Sequence, residues 1–266
     1  MRAGLLAGIL LLAAAPVEAA VRTEAVEYTH GTTVLEGYLA YDDATDAPRP
    51  GILVVHEWKG LGDYAKRRAE QLAQLGYVAF AADMYGKGVR AKDHAEAASL
   101  AGIYKGDRAL MCARITAALE KLKTYPMVDQ RRLAAIGYCF GGTTVLELAR
   151  SGAEVLGVVS FHGGLDTPHP EDARAIKGRV LVLHGGDDRF VTMDDVARFK
   201  REMEQAGVRY QLVVYPGAVH SFTVREAGSD PSTGMAYNAE ADRQSWEAMQ
   251  AFFRTLFGEP ETRNVG

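Results

Sequence analysis

Residues 133–152 read Leu-Ala-Ala-Ile-Gly-Tyr-Cys-Phe-Gly-Gly-Thr-Thr-Val-Leu-Glu-Leu-Ala-Arg-Ser-Gly. Leu133 to Ile136 is a short apolar run, the size of a buried parallel strand. Thr143 to Ala149 has helical spacing, with Val145, Leu146 and Ala149 on one face and Gly152 placed to cap its end. Between them, Gly137-Tyr138-Cys139-Phe140-Gly141 carries the G-x-S-x-G pattern of a nucleophile elbow, with sulfur in place of oxygen. Such a turn forces its middle residue into a strained backbone, and the flanking glycines leave room for it. The thiol then stands over the carboxyl edge of a sheet at a helix N-terminus, where the dipole and free N–H groups favour a thiolate. A buried Cys in a Gly-rich turn would leave the same local pattern, so its partners decide.

Outward from the elbow, apolar strands alternate with helical stretches. Val21 to Tyr28 and Thr33 to Tyr41 read as an antiparallel hairpin turning at His30-Gly31. Gly51 to Val55 is a central strand, apolar throughout. Asp63 is placed to cap the next helix, whose inward face is Ala65, Ala69, Leu72 and Ala73. Tyr77 to Ala82 is a strand, and residues 90–124 are helical with a break at Lys105-Gly106. Strands follow over Val155 to Val159, Val180 to Leu183 and Tyr210 to Tyr215, with helices over Thr192 to Ala206 and near the end, where Trp246, Met249, Phe253 and Leu256 share a face. This alternation predicts one three-layer α/β domain over residues 20–266, with a mostly parallel sheet of about eight strands and helices on both faces. Ligands of such sheets bind outside the carboxyl ends of the strands.

The composition fits a globular domain, with 48% apolar and 24% charged residues. A net charge of −4 and the lack of a basic patch exclude a nucleic-acid surface. Residues 1–19 combine Arg2, an uncharged apolar run from Ala3 to Ala15, and Val17-Glu18-Ala19 before a cleavage point. That is the layout of a signal peptide, and the run is shorter than the ~20 residues that span a bilayer. The expectation is an exported protein, periplasmic or extracellular, with no stable membrane insertion after cleavage. Two cysteines, Cys112 and Cys139, make no disulfide framework. Cys112 reads as a small buried hydrophobe.

A nucleophile needs a base, and the base needs a group to fix its tautomer. In elbow architectures the chain order is nucleophile, acid, histidine. Asp187 and Asp188 follow a central strand, and His220 follows the last one. Asp188 is the better acid, standing three residues after Gly185 and three before Val191. Either Asp could instead cap the helix near Thr192. Backbone N–H groups of Phe140 and Trp58 are the candidate oxyanion donors. Tyr85, Phe161, His162, Phe222 and Arg225 are the candidate substrate contacts. His56-Glu57 lacks the second His of a zinc helix, so neither a metal nor a cofactor is expected.

Five segments resemble the dienelactone hydrolase family of the α/β-hydrolase fold: His56 to Leu61, Ala82 to Gly86, Gly137 to Gly142, Gly185 to Val191, and His220-Ser221-Phe222. The likeness extends from about residue 22 to 257. It implies hydrolysis of a small ester or lactone through an acyl-thiol on Cys139, with His220 as base and Asp188 as orienting acid. It also implies that Glu57 regulates the thiol by accepting its proton; a loop salt bridge to Lys59 is the plainer role. One departure is that Val224 stands where the family's substrate-carboxylate Arg is expected, with Arg225 one residue on. Thioesterase or acyltransferase chemistry on the same intermediate, a redox thiol, and a non-catalytic module are the alternatives.

Overall fold

A computed structural model describes residues 20–258. The proposed signal segment lies outside the described residues. Eight strands form one sheet: β1 (Val21–His30), β2 (Thr33–Asp42), β3 (Arg49–Val55), β4 (Val78–Ala82), β5 (Val128–Tyr138), β6 (Gly157–Phe161), β7 (Arg179–Gly185) and β8 (Tyr210–Tyr215). Their order is β1-β2-β4-β3-β5-β6-β7-β8. The β1–β2 and β2–β4 pairs are antiparallel and the rest parallel. Six α-helices complete the layers: α1 (Asp63–Gln74), α2 (His94–Gly106), α3 (Arg108–Lys123), α4 (Phe140–Arg150), α5 (Met193–Ala206) and α6 (Ala239–Phe257).

Alternate residues of each central strand feed two separate cores. Leu53 and Val55 face α3 and α4, together with Ile115 and Val145. Ile52 and Val54 face α1 and α6, together with Leu72 and Phe253. This period of two explains why Gly51 to Val55 of β3 and Leu133 to Ile136 of β5 are apolar without interruption. From β3 the chain crosses to β4 on one side, then returns to β5 on the other. The strand order therefore reverses between β3 and β5, which is where such sheets open a ligand crevice.

Three local expectations shift. Helix α1 is capped by Gly62 without a side-chain bond, so Asp63 is its first residue and not its cap. Helix α4 starts at Phe140, three residues before Thr143. Gly141 and Gly142 weaken helix propensity, but the close packing of this turn onto β3 requires small residues there. A Cβ on Gly137 would sit 2.0 Å from the Gly141 carbonyl oxygen, and one on Gly141 would sit 2.3 Å from that of Val55. Helix α5 is capped by Thr192 in a capping box with Asp195, which leaves Asp187 and Asp188 free of that duty.

Candidate active site

At the carboxyl edge of the sheet, β5, β7 and β8 each lead into a turn or loop that carries a reactive group. Cys139 follows β5 directly and has φ 53° and ψ −112°, a strained conformation for a residue with a side chain. Its N–H donates to the Phe161 carbonyl at 3.0 Å, which ties the turn to β6. Asp188 lies in the turn after β7, and His220 in the loop after β8. Cys139 Sγ is 3.1 Å from His220 Nε2, and His220 Nδ1 is 2.7 Å from Asp188 Oδ2. Asp188 Oδ1 accepts N–H bonds from Phe190 at 2.8 Å and Val191 at 3.0 Å. Those bonds and the one from His220 overcome burial and hold the Asp188 carboxyl below the usual range. Burial alone would depress His220, but charge on Cys139 and the Asp188 bond outweigh it and push His220 up to about 10. The arrangement favours a protonated His220.

Glu57 departs from expectation. Its carboxyl makes no hydrogen bond or ion pair among the described residues, so it neither hydrogen-bonds the Cys139 thiol nor bridges to Lys59. The thiol faces His220 instead, because the elbow aims Sγ toward the β8 side. Burial pushes Glu57 up to about 7, opposed by the nearby His220. Glu57 therefore changes charge near neutrality.

The proposed oxyanion donors lie on either side of the elbow. Among the described residues neither the Phe140 nor the Trp58 N–H has a protein acceptor. The Trp58 ring packs against His94 at 5.2 Å. Tyr85, offered as a substrate contact, donates its hydroxyl to the Trp58 carbonyl at 2.9 Å and packs on Phe140.

The other proposed substrate contacts need correction. Phe161 is buried and stacked on Tyr138, and Phe222 is buried between His162 and Tyr215. Neither presents surface to a ligand. His162 is buried too; its Nε2 pairs with Thr223 Oγ1 at 2.8 Å and its ring meets His220 edge-on. These three form the floor that steadies the His220 loop. Arg225 is exposed, with its guanidinium over the Tyr237 ring, and touches neither Cys139 nor His220. Val224 is buried. One aromatic escaped the sequence reading: Phe190 is 57% exposed yet meets the His220 ring edge-on at 5.6 Å. Its place two residues after the acid was the available signal.

A mostly parallel sheet with helices on both faces, and a thiol, imidazole and carboxylate gathered at its carboxyl edge, define an α/β-hydrolase. The dienelactone hydrolase family model matches residues 35–257, and the chain belongs to that family. It is a lactone or ester hydrolase. A solved structure of a dienelactone hydrolase-like promiscuous phosphotriesterase from metagenomic libraries is 43% identical, with a TM-score of 0.85, and covers 90% of this chain and 100% of that one. A protein of Methylorubrum extorquens named "Putative carboxymethylenebutenolidase" is 30% identical over 79% of this chain and 74% of its own. One of Synechocystis with the same name is 27% identical over 88% of this chain and 97% of its own. Among the described residues no helix is long and apolar enough to cross a membrane, and no group of three or more His, Cys, Asp or Glu could hold a metal ion.

Proposed function

We propose that this protein cleaves small esters or lactones through a thioester on Cys139. The observation that carries the proposal is the unbroken contact chain from Sγ through His220 to Asp188. The Cys139 thiolate attacks the carbonyl carbon, and the oxyanion forms between the Phe140 and Trp58 N–H groups. The His220 imidazolium gives its proton to the leaving alkoxide; an ester's alcohol departs, and a lactone's stays as the hydroxyl end of the opened acyl chain. Neutral His220 then takes a proton from water, which attacks the thioester and releases the acid and the thiolate. Asp188 holds the imidazole in register and stabilises its charged form. Glu57 is the regulating acid, since its charge beside His220 changes near neutrality.

The substrate we propose is uncharged. Val224 is buried where an Arg would meet a substrate carboxylate, and Arg225 packs on Tyr237. The exposed Phe190 ring beside His220 offers an apolar contact instead. Matched lactones and esters with and without a carboxylate test this, and faster turnover of the uncharged member is expected. Preference for the anion would reverse the assignment.

The 43% identity to a promiscuous phosphotriesterase supports a second activity on neutral phosphotriesters. Such a substrate also presents one oxygen to two N–H donors at a tetrahedral centre. Release of a chromogenic phenol from a triester, lost in Cys139→Ala, is its test. Residues 1–19 support export, and fractionation of cells carrying the tagged full chain tests that.

A further inference from the structure

His56 ends the apolar run of β3 and is buried, with 1% of its surface exposed. Both of its ring nitrogens have backbone partners. The Met84 N–H donates to Nε2 at 3.2 Å, so Nε2 carries the lone pair. Nδ1 therefore carries the hydrogen, and it lies 2.5 Å from the Glu57 carbonyl oxygen. That oxygen also accepts from the Gly60 N–H at 3.3 Å. Burial pushes His56 down to about 4, so the ring is neutral at working pH and keeps one donor and one acceptor.

The Glu57 carbonyl and the Trp58 N–H belong to one trans peptide, so they point in opposite directions. Fixing the carbonyl on His56 fixes the N–H away from it. A donor bound to the carbonyl also polarises the same amide and strengthens its N–H. The His56 ring lies nearly parallel to the Phe140 ring, 5.9 Å between centroids and 19° between planes. Phe140 supplies the other N–H. One buried imidazole thus holds the Glu57–Trp58 peptide and packs on the Phe140 ring, and its link to Met84 anchors it to the loop after β4.

We infer that His56 is a positioning residue of the oxyanion hole, which aims the Trp58 N–H at the reacting carbonyl by holding the Glu57 carbonyl. This rests on the hydrolase mechanism proposed above. It separates His56 from the thiol's activation, because His56 touches neither Sγ nor His220. Acyl transfer builds an oxyanion, whereas displacement of iodide by the thiolate does not. Loss of His56 should therefore slow the first and spare the second.

The test uses the full-length protein as His56→Leu and His56→Asn. An Asn amide nitrogen can occupy the Nδ1 position and keep the bond to the Glu57 carbonyl; Leu cannot. Ester kcat/KM should fall on the order of 10–10²-fold in His56→Leu, less than the 10²–10³ lost on removing a donor outright. The rate of Cys139 alkylation by iodoacetamide should stay within about twofold. His56→Asn should recover most of the ester rate. Equal losses in both reactions, or unchanged ester turnover, would overturn the inference. If His56→Leu fails to fold, ¹⁵N spectra of the wild-type ring still decide, since a hydrogen on Nε2 rather than Nδ1 contradicts the geometry. A wild-type protein inactive on every ester would instead overturn the hydrolase mechanism, and the ring spectra would report on the bond independently.

Discussion

His220 Nδ1 and Asp188 Oδ2 are 2.7 Å apart, while the adjacent Asp187 is exposed and takes no part in that contact. Two neighbouring carboxylates therefore have unlike surroundings. Asp188→Asn should lower kcat by about 10³–10⁴, because an amide no longer holds the imidazole in its working tautomer. Asp187→Asn should stay within about twofold, as surface changes usually do. Steady-state kinetics on one chromogenic ester compares them, and a reversed order would move the acid to Asp187.

Glu57 gives a pH prediction with a definite sign. The folded carboxyl keeps its proton to about pH 7, whereas 4.5 is its ordinary value. The folded state binds more protons in that interval, so the stability due to neutral Glu57 is whole below about 4.5 and falls as pH rises to about 7. Glu57→Gln should flatten that segment of a denaturation-versus-pH curve. It should also remove an inflection near 7 from the kcat profile. Profiles that superimpose on wild type would remove Glu57 from the mechanism.

Gly137→Ala tests the elbow's packing. The new methyl would meet the Gly141 carbonyl 2.0 Å away, and backbone on both sides cannot yield like a side chain. A loss of at least about 3 kcal/mol is expected, at the upper end of overpacking. Chemical denaturation measures it. A loss under about 1 kcal/mol would mean that the turn relaxes freely.

Phe190 gives a binding prediction. Its ring is mostly exposed and touches His220 only by its edge. Phe190→Ala should raise KM several-fold for an aromatic ester and leave kcat nearly unchanged, the pattern of uniform binding lost. A fall in kcat with constant KM would assign the ring to holding His220 instead.

The elbow, the order Cys139, Asp188, His220 and the alternating layers were legible because each has a short-range signature. The Gly-x-x-Asp-x-x-Val spacing even separated Asp188 from Asp187. What escaped depends on register between distant strands. Phe161 reads as a strand-end aromatic open to ligand, but its pairing opposite Tyr138 buries it. Helix α4 begins earlier than propensity suggests because packing against Val55 overrides two glycines. His56 looks like any loop histidine until Met84, 28 residues away, supplies its second partner.

In the proposed mechanism Cys139 carries the acyl group. Rapid quenching of wild-type protein with a slow ester, followed by peptide mass spectrometry, reads this directly. An acyl adduct is expected on the Cys139 peptide and none on the Cys112 peptide, with adduct and turnover both lost in Cys139→Ala. An adduct on another residue, or Cys139→Ala retaining more than about a tenth of wild-type kcat, would contradict the mechanism.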